Sequence, residues 1–498
     1  MQPARAKVLV LVLAAAYACF ISWYHAPYAT GADAAGYLNF AKMILNGELR
    51  LPVRMPPDMP ENLLPRESFV PVSFRLSSDQ THMVPIYSVG LPLHLAAIGW
   101  FVGLPTASTI LAVLCSLAFA SLLYQTCRDF GVNPVPSTAV AVLAALSPLT
   151  LFFAMIVMSD LLSAVWVLAM MYLARLARRG LLLAAAAGAA LSIAVLVRPT
   201  NLLMVLPALF ALPTHIRAWS AFAAGGIPGA LFLLWLNRSL YGVGLTTGYG
   251  DMSSFFSLTY VPQTLRHYAM WLPLLATPLI GTAVLLPWMN VGRRAKCTLT
   301  VWAGVLSVFY AAYYFTSLDW WWLRFVLPSL PAFAIAAALV LQHGRFPAWC
   351  PTLHERLAPA GPAGAGHTRL WLTAGLLAVF TPWMVAWTVQ LNVLKFKKNE
   401  ISYQLTGEWV TRELPAEAVL LAGQVTGGLN YYTNRPFVLT GHLQAEDCAR
   451  LETWLGQTGR PLYAAIHDFE QAEIRRKFPG RWEIVKKIKQ TTILRYSH

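Results

Sequence analysis

Long apolar runs alternate with short polar stretches over the first 394 residues of the chain. A helix needs roughly 20 apolar residues to cross the hydrocarbon core of a bilayer. We therefore predict eleven transmembrane helices, at 8–24, 106–124, 137–157, 161–177, 181–197, 199–213, 218–237, 269–290, 297–316, 325–342 and 370–391.

One further apolar stretch, 84–103, decides the predicted topology. Its internal Pro85 and Pro92 and its His94 suit a helix on the membrane surface better than a span. With this stretch outside the membrane, most loop arginines and lysines collect on one side, which the positive-inside rule makes cytoplasmic. We therefore expect a cytoplasmic N-terminus, an uncleaved first helix and an external C-terminal region.

In this topology three polar segments share the outer side with the turn around residue 160. They are the long loop 25–105, the loop 238–268 and the Trp-rich turn 317–324. The segment 343–369 is rich in Pro, Gly and Ala and is predicted to be a flexible cytoplasmic loop.

After the last predicted span the composition changes to that of an ordinary globular protein. Helix and strand patterns alternate, with strands expected at 419–422, 437–439 and 462–466 and helices at 402–414, 445–458 and 468–478. The predicted fold class is therefore a mostly α, polytopic membrane module at 1–394 followed by a small α/β domain at 395–498.

Composition supports this class. The chain has 498 residues, of which 57% are hydrophobic and 12% charged, whereas a soluble protein carries about a quarter charged residues. The net charge of +15 is explained by basic cytoplasmic loops and does not by itself indicate nucleic acid binding. Of the six cysteines, only Cys448 falls in the predicted external domain, so no disulfide framework is expected.

Asp33 is the first candidate for chemistry. It follows the first apolar run and begins a helical pattern formed by Tyr37, Phe40, Ala41 and Ile44. A carboxylate at the mouth of an apolar bundle is a candidate catalytic group, but a helix N-terminus also favours a carboxylate through capping and the dipole. The two roles are compatible.

Asp160 is the second candidate, since it lies between two apolar runs and ionisable groups so close to the membrane are usually functional. Here Ser159 could cap the following helix.

Three arginines fall on the outer side, against the general bias of basic residues towards the cytoplasm: Arg198, Arg266 and Arg324. Guanidinium groups bind phosphate well. Each of these arginines could instead snorkel to the membrane interface. The cluster at 320–322 is either an interfacial tryptophan belt or the lining of a lipid groove.

Other kinds of site find little support in the sequence. We find no Gly-rich nucleotide loop, zinc pattern or nucleophile elbow, so nucleotide chemistry is not expected. His25, His82 and His94 are dispersed, and together with Asp79 and Glu67 they show no metal-ligand spacing.

Six motifs occur in a defined order: Asp33 to Lys42, Pro85 to Leu93, Ser159-Asp160, Arg198-Pro199, Arg324 to Pro331, and Tyr431 to Pro436. In this order they resemble the GT-C membrane glycosyltransferases, specifically protein O-mannosyltransferases and bacterial lipid A aminoarabinose transferases. The similarity covers nearly the whole chain. Two positions depart from the family pattern: Ala34 replaces a second acid found in many members, and His82-Met83-Val84 stands where some members have another acidic residue.

The resemblance implies a sugar donor on a polyprenyl phosphate, used at the periplasmic face of a bacterial inner membrane, with a lipid, glycan or protein as acceptor. Asp33 and Asp160 match the acidic positions of the family and are the expected catalytic residues. The expected substrate-binding residues are Tyr37, Arg198, Arg266 and Arg324. The two departures weaken the case for a divalent metal, and we expect no nucleic acid partner.

The expected reaction is sugar transfer with inversion, in which Asp33 is the general base and an arginine stabilises the leaving phosphate. A transporter or lipid flippase is the alternative, but it would place ionisable residues in mid-membrane and show repeat symmetry. A non-enzymatic scaffold or sensor is the third class. The candidate charges lie at helix ends on one side, which favours the transferase.

Overall fold

The computed structural model describes residues 3–343 and 364–497, so most of the predicted cytoplasmic loop 343–369 lies outside the described residues. The described α-helices are α1 (Pro3–Tyr24), α2 (Asp33–Asn46), α3 (Gly90–Val102), α4 (Leu104–Asp129), α5 (Pro134–Leu146), α6 (Pro148–Met155), α7 (Ser159–Leu176), α8 (Leu181–Val197), α9 (Val205–Ala211), α10 (Ile216–Tyr241), α11 (Val261–Ala276), α12 (Arg293–Ala311), α13 (Leu330–His343), α14 (Gly364–Gln390), α15 (Phe396–Glu413), α16 (Thr426–Tyr432), α17 (Ala445–Thr458) and α18 (Gln471–Lys477).

In the described part of the chain the strands form two sheets. They are β1 (Leu51–Pro52), β2 (Phe74–Leu76), β3 (His82–Pro85), β4 (Val419–Ala422), β5 (Val438–Leu439), β6 (Leu462–His467), β7 (Arg481–Ile488) and β8 (Thr491–Ser497). The small sheet in the first loop has the order β1-β3-β2, and the C-terminal sheet has the order β5-β4-β6-β8-β7. In the larger sheet β4 is parallel to β5 and β6, whereas β8 is antiparallel to β6 and β7.

The apolar helices confirm a multi-pass membrane protein. Within the described residues five helical segments are long and apolar enough to cross a membrane: Lys7–Tyr24, Leu104–Asp129, Ser159–Arg179, Ile216–Tyr241 and Trp320–His343. Three bent helix pairs would raise this number to eight. The count of eleven spans therefore stays a prediction.

Two spans that the sequence predicted as continuous are broken. The chain bends by 51° between α5 and α6, and by 110° between α11 and the 3-10 helix Pro278–Trp288. Pro148 and Pro278 begin the second half of each pair. A proline cannot continue the helical hydrogen bonding, and it restricts the residue before it, so the helix ends there.

Helix α3 has 13 residues and is about 20 Å long, which is too short to cross a hydrocarbon core of about 30 Å. It covers most of the stretch 84–103 that was predicted to lie on the membrane surface.

Helices α8 and α10 pack closely because of their glycines. A Cβ at Gly188 would lie 1.8 Å from the Phe222 carbonyl oxygen, and one at Gly225 would lie 1.9 Å from that of Ala185. Small residues of this kind are typical of helix contacts in membranes.

The C-terminal region has the three strands and three helices that the sequence predicted. Most ends shift little, but the first helix begins at Phe396 and not at 402. The sequence missed α16, which is short and contains two glycines, and the β7–β8 hairpin. Strand β7 is an exposed edge strand with a bulge between Ile484 and Lys486, so it lacks the apolar alternation of a buried strand. The domain boundary at residue 395 stays a prediction.

The first loop joins the membrane helices to the C-terminal sheet. Met59, Leu64 and Phe69 from this loop belong to the same buried cluster as Val419 and Leu494 of the sheet. The loop therefore shares a hydrophobic core with residues at least 350 positions later in the chain. Helix α2, which carries Asp33, begins this loop.

Candidate active site

Helix α2 places Asp33 at its first position. The helix begins there and ends at Asn46. The following Gly47 has a left-handed φ of 73°, as is usual for a glycine just after a helix. No side-chain capping hydrogen bond is found at its N-terminus. The Asp33 carboxylate instead accepts a hydrogen bond from Arg324, with 2.8 Å between Oδ2 and Nη1. Asp33 therefore benefits from the helix dipole without acting as the cap.

Helix α7 places Asp160 and Ser159 in its first turn. Asp160 is ion-paired with Arg198, with 2.7 Å between Oδ1 and Nη2. The expectation that Ser159 caps this helix is wrong, because the cap position is Met158 and no side-chain cap bond is found. The Ser159 hydroxyl instead bonds with the Tyr37 hydroxyl at 2.9 Å and accepts from Arg198 Nε at 3.3 Å.

These contacts join the two acids into one cluster. Tyr37 lies one helical turn after Asp33 and contacts Ser159, which is adjacent to Asp160. The Phe325 ring lies beside both guanidinium groups, with its centroid 5.6 Å from Arg198 Cζ and 5.1 Å from Arg324 Cζ. Contacts of this kind add cation–π attraction. The structure thus brings together five of the six predicted site residues.

Trp322 gives Arg324 a second aromatic neighbour, with its ring centroid 4.6 Å from Cζ. It also stacks on Phe315, at a centroid distance of 4.7 Å. By contrast, Trp321 is exposed. The tryptophan cluster therefore does not act as a uniform belt, because one of its members packs on the site.

The two carboxylates differ in exposure. The Asp33 side chain is 31% exposed, whereas that of Asp160 is 0% exposed, and the two arginine side chains are 14% to 15% exposed. A buried charge is tolerated only with a partner of opposite charge. Each acid has such a partner, but only Asp33 can also reach a molecule from outside.

Tyr87 is a site residue that the sequence analysis did not assign. Its ring centroid lies 5.0 Å from that of Tyr37 and 5.8 Å from that of Tyr249. Burial would raise the pKa of the Asp33 carboxyl, but Arg324, Tyr87 and Arg198 lower it by more, so this pKa lies below its ordinary value. Burial and then the charge of Asp33 raise the pKa of Tyr87 well above its usual value, so its hydroxyl stays protonated.

The sequence signals for these missed residues differ. Tyr87 stands within the motif Pro85 to Leu93, just after strand β3. Tyr249 belongs to the loop 238–268, in which nothing in the sequence distinguishes it. Only the fold places it against Tyr87.

Arg266 is the predicted site residue that stays outside the cluster. It is exposed on α11, and in the described part of the chain it forms no ion pair with either acid. Its neighbour His267 contacts the Asp319 carbonyl oxygen at 3.1 Å.

The three histidines considered for metal binding are separated. His25 contacts the Ala154 carbonyl and Ser108, His94 contacts the Gly90 carbonyl and Trp166, and His82 pairs with Asp79. Among residues 3–343 and 364–497, no group of three or more His, Cys, Asp or Glu side chains could hold a metal ion. Since each carboxylate of the cluster is ion-paired with an arginine, these residues do not fit a divalent metal.

Several solved structures share this fold. ArnT from Cupriavidus metallidurans in the apo state matches with a TM-score of 0.57 and 14% identity over 98% of each chain. The same protein bound to undecaprenyl phosphate matches with a TM-score of 0.55 and 14% identity over 97% of each chain. The arabinofuranosyltransferase AftD from Mycobacteria matches with a TM-score of 0.51 and 13% identity, over 95% of this chain and 40% of AftD.

These similarities show that the chain has the GT-C fold, which confirms the fold predicted from the sequence motifs. At these identities they establish the fold alone. No protein-family model matches the sequence, and no curated protein matches it.

The buried pair of Asp160 and Arg198 yields a stability prediction. Asp160→Asn leaves Arg198 without its counter-charge, and we expect a loss of about 3–5 kcal/mol. The double variant Asp160→Leu with Arg198→Met removes both charges and should be closer to the wild type. Thermal unfolding of the purified proteins in detergent measures both. A double variant that is less stable than the single one would contradict this account.

Proposed function

We propose that this protein is a glycosyltransferase that moves a sugar from a polyprenyl-phosphate donor to an acceptor hydroxyl, with inversion. The observation that carries the proposal is a partly exposed carboxylate, Asp33, held by the largely buried Arg324 at the end of an apolar bundle. This arrangement offers a base to the acceptor and a cation to a lipid phosphate. The shared fold with ArnT, which has been solved with undecaprenyl phosphate, supports the choice of donor.

Arg324 is the proposed phosphate-binding residue. A guanidinium has five N–H donors, and Arg324 uses Nη1 for Asp33. Its buried Nε has no hydrogen-bond partner among the described residues. A buried, unpaired donor is costly, and a phosphate oxygen would satisfy it. Arg324 therefore has a further N–H group that can donate a hydrogen bond to a second anion.

The proposed step forms one bond and breaks another. The acceptor oxygen attacks the anomeric carbon while its proton moves to a carboxylate oxygen of Asp33. The bond between the anomeric carbon and the phosphate oxygen breaks on the opposite face, and the polyprenyl phosphate leaves with the electron pair. Arg324 stabilises the charge that develops on the leaving phosphate. No nucleotide is needed because the lipid phosphate already activates the sugar.

Asp160 takes a supporting part in this proposal. It was expected to be a second catalytic acid, but its side chain is fully buried against Arg198. It therefore holds Arg198 in place, and Arg198 in turn contacts Ser159. Tyr37 uses the same serine to fix the first turns of α2 against α7. Arg266, which is exposed on α11, takes no part in the step.

We place this site at the periplasmic face of a bacterial inner membrane, with the N-terminus in the cytoplasm. Both Asp33 and the C-terminal region lie beyond the same end of the bundle, since α2 contacts α16 directly. The distribution of loop arginines and lysines supports this orientation. The acceptor would then be an envelope lipid, a glycan or an exported protein.

Binding of undecaprenyl phosphate tests the donor directly. We expect Arg324→Gln to weaken its binding about 10- to 100-fold, since a hydrogen bond to a charged group contributes about 1.5–3 kcal/mol. Arg266→Gln is the matched control and should change little. Binding of undecaprenol, which lacks the phosphate, should be equal in all three proteins. Equal phosphate binding by Arg324→Gln and the wild type would rule out this role.

Asp33→Asn tests the base. We expect turnover of a polyprenyl-phosphate sugar, followed by mass spectrometry as release of polyprenyl phosphate, to fall about 100- to 10,000-fold. Affinity for undecaprenyl phosphate should be kept or increased, because Arg324 loses its competing carboxylate. Asp319→Asn, at an exposed acid on the same side, is the control. Turnover within threefold of the wild type would reject the assignment, and donor translocation without sugar transfer would favour a flippase.

The pH dependence tests the contact between Tyr87 and Asp33. The base must be ionised, so activity falls as the pH drops through the pKa of Asp33. Because Tyr87 lowers this pKa, Tyr87→Phe should move the acid limb of kcat/KM to higher pH. Tyr124→Phe, near the C-terminal end of α4, should leave the limb unchanged. An unchanged limb in Tyr87→Phe would show that the hydroxyl does not act on Asp33.

A further inference from the structure

Helix α16 of the C-terminal region binds directly to the helix that carries Asp33. The contact centres on Asn39 of α2, which is buried. Its Nδ2 donates to the Gly427 carbonyl oxygen at 2.9 Å, and its Oδ1 accepts from Asn430 Nδ2 at 2.9 Å. Both polar atoms of a buried side chain are therefore satisfied by residues nearly 400 positions away.

Gly427 allows this close approach. A Cβ at this position would lie 2.7 Å from the Ala35 Cβ and 3.0 Å from the Gly31 carbonyl oxygen. Gly31 and Ala35 stand two residues before and two residues after Asp33. Helix α16 thus touches the backbone of the turn from which the carboxylate projects.

Further hydrogen bonds extend this contact on both sides of α2. The Ala29 amide donates to the Tyr432 hydroxyl at 2.9 Å. The Val72 amide donates to the Thr426 hydroxyl at 3.3 Å. The ends of α16 therefore hold both the residues just before α2 and the loop that follows it.

Tyr87 confines the same turn through its ring. A Cβ at Gly36 would lie 2.3 Å from the Tyr87 ring and 2.9 Å from the Ser73 Cβ. The first turn of α2 consequently lies closely packed between α16 and Tyr87, and this packing restricts its rotation. Rotation of this turn would carry the Asp33 carboxylate away from Arg324.

We infer that α16 is a positioning element for the base, in which Asn430 acts through Asn39 and Gly427 through the backbone beside Asp33. This inference rests on the proposed function. It assigns to the C-terminal region a part in the transfer step itself, in addition to any contact with the acceptor. A misplacement of about 1 Å in a reacting group can lower the rate about 100-fold.

Asn430→Ala tests the inference in the full-length protein. We expect kcat to fall about 10- to 100-fold, while the Kd for undecaprenyl phosphate stays within twofold, because Arg324 is unchanged. Amide hydrogen exchange of residues 33–38 should rise. Thr453→Ala, on the exposed face of α17, should alter none of these. If the contact only stabilises the fold, local exchange should rise while kcat stays as in the control, and that result would overturn the inference.

A double variant shows whether Asn430 acts through Asn39. If it does, Asn39→Ala with Asn430→Ala should have the same kcat as Asn39→Ala alone. Additive losses would overturn the proposed route. If Asn430→Ala does not fold, Tyr432→Phe removes a single hydrogen bond at the same contact and should raise the exchange of residues 29–35. Unchanged exchange there would overturn the inference.

The outcomes distinguish this inference from the proposed function. If Asp33→Asn abolishes transfer while Asn430→Ala keeps the full kcat and normal exchange, only the positioning role fails. If Asp33→Asn is fully active, the assignment of the base fails, and the exchange measurement still reports on the contact between α16 and α2.

Discussion

Four charged side chains meet at the end of an apolar bundle, and each carboxylate there has a guanidinium partner. Asp33 pairs with Arg324 and Asp160 pairs with Arg198, at 2.8 and 2.7 Å. Asp160 is fully buried and the two arginines are largely buried, so an unpaired charge among them would be strongly destabilising. Every element that carries one of these residues must therefore come to the same place. The convergence of α2, α7, the end of α8 and the segment Trp320–Ser329 follows from this requirement.

Both ion pairs are electrically neutral, but they differ in exposure and in their contacts. The pair of Asp160 and Arg198 is closed off from the surface and linked to Tyr37 through Ser159. The pair of Asp33 and Arg324 is partly open and lies between the rings of Trp322, Phe325 and Tyr87. In the proposed function the closed pair fixes the geometry, and the open pair exchanges its partner for a substrate. This division explains why one site contains two similar ion pairs.

An arginine bound to the proposed base has a further consequence. In the free protein Arg324 keeps Asp33 ionised but makes it a weaker base. A phosphate that binds Arg324 would compensate part of its charge and so raise the basicity of Asp33 when the donor is present. Donor binding and base activation would then be coupled through one guanidinium.

The sequence by itself determined the class of the protein and the chemical types at its site. Apolar runs of fixed length specified a helical membrane fold, because a bilayer accepts little else. Asp33, Asp160, Arg198 and Arg324 were identifiable because charges are conspicuous where nearly everything else is apolar. The C-terminal strands Val419–Ala422 and Leu462–His467 were predictable from their apolar runs.

Only the tertiary structure decided which acid pairs with which arginine, that Arg266 stays apart, and that Ser159 bridges two residues and does not cap its helix. It also brought Tyr87 and Tyr249 to the site and set Asn430 against Asn39. These contacts join residues up to 391 positions apart. Local patterns carry information only about neighbours along a helix or strand, whereas such pairings depend on how whole elements pack. For that reason the residue types could be predicted, but their partners could not.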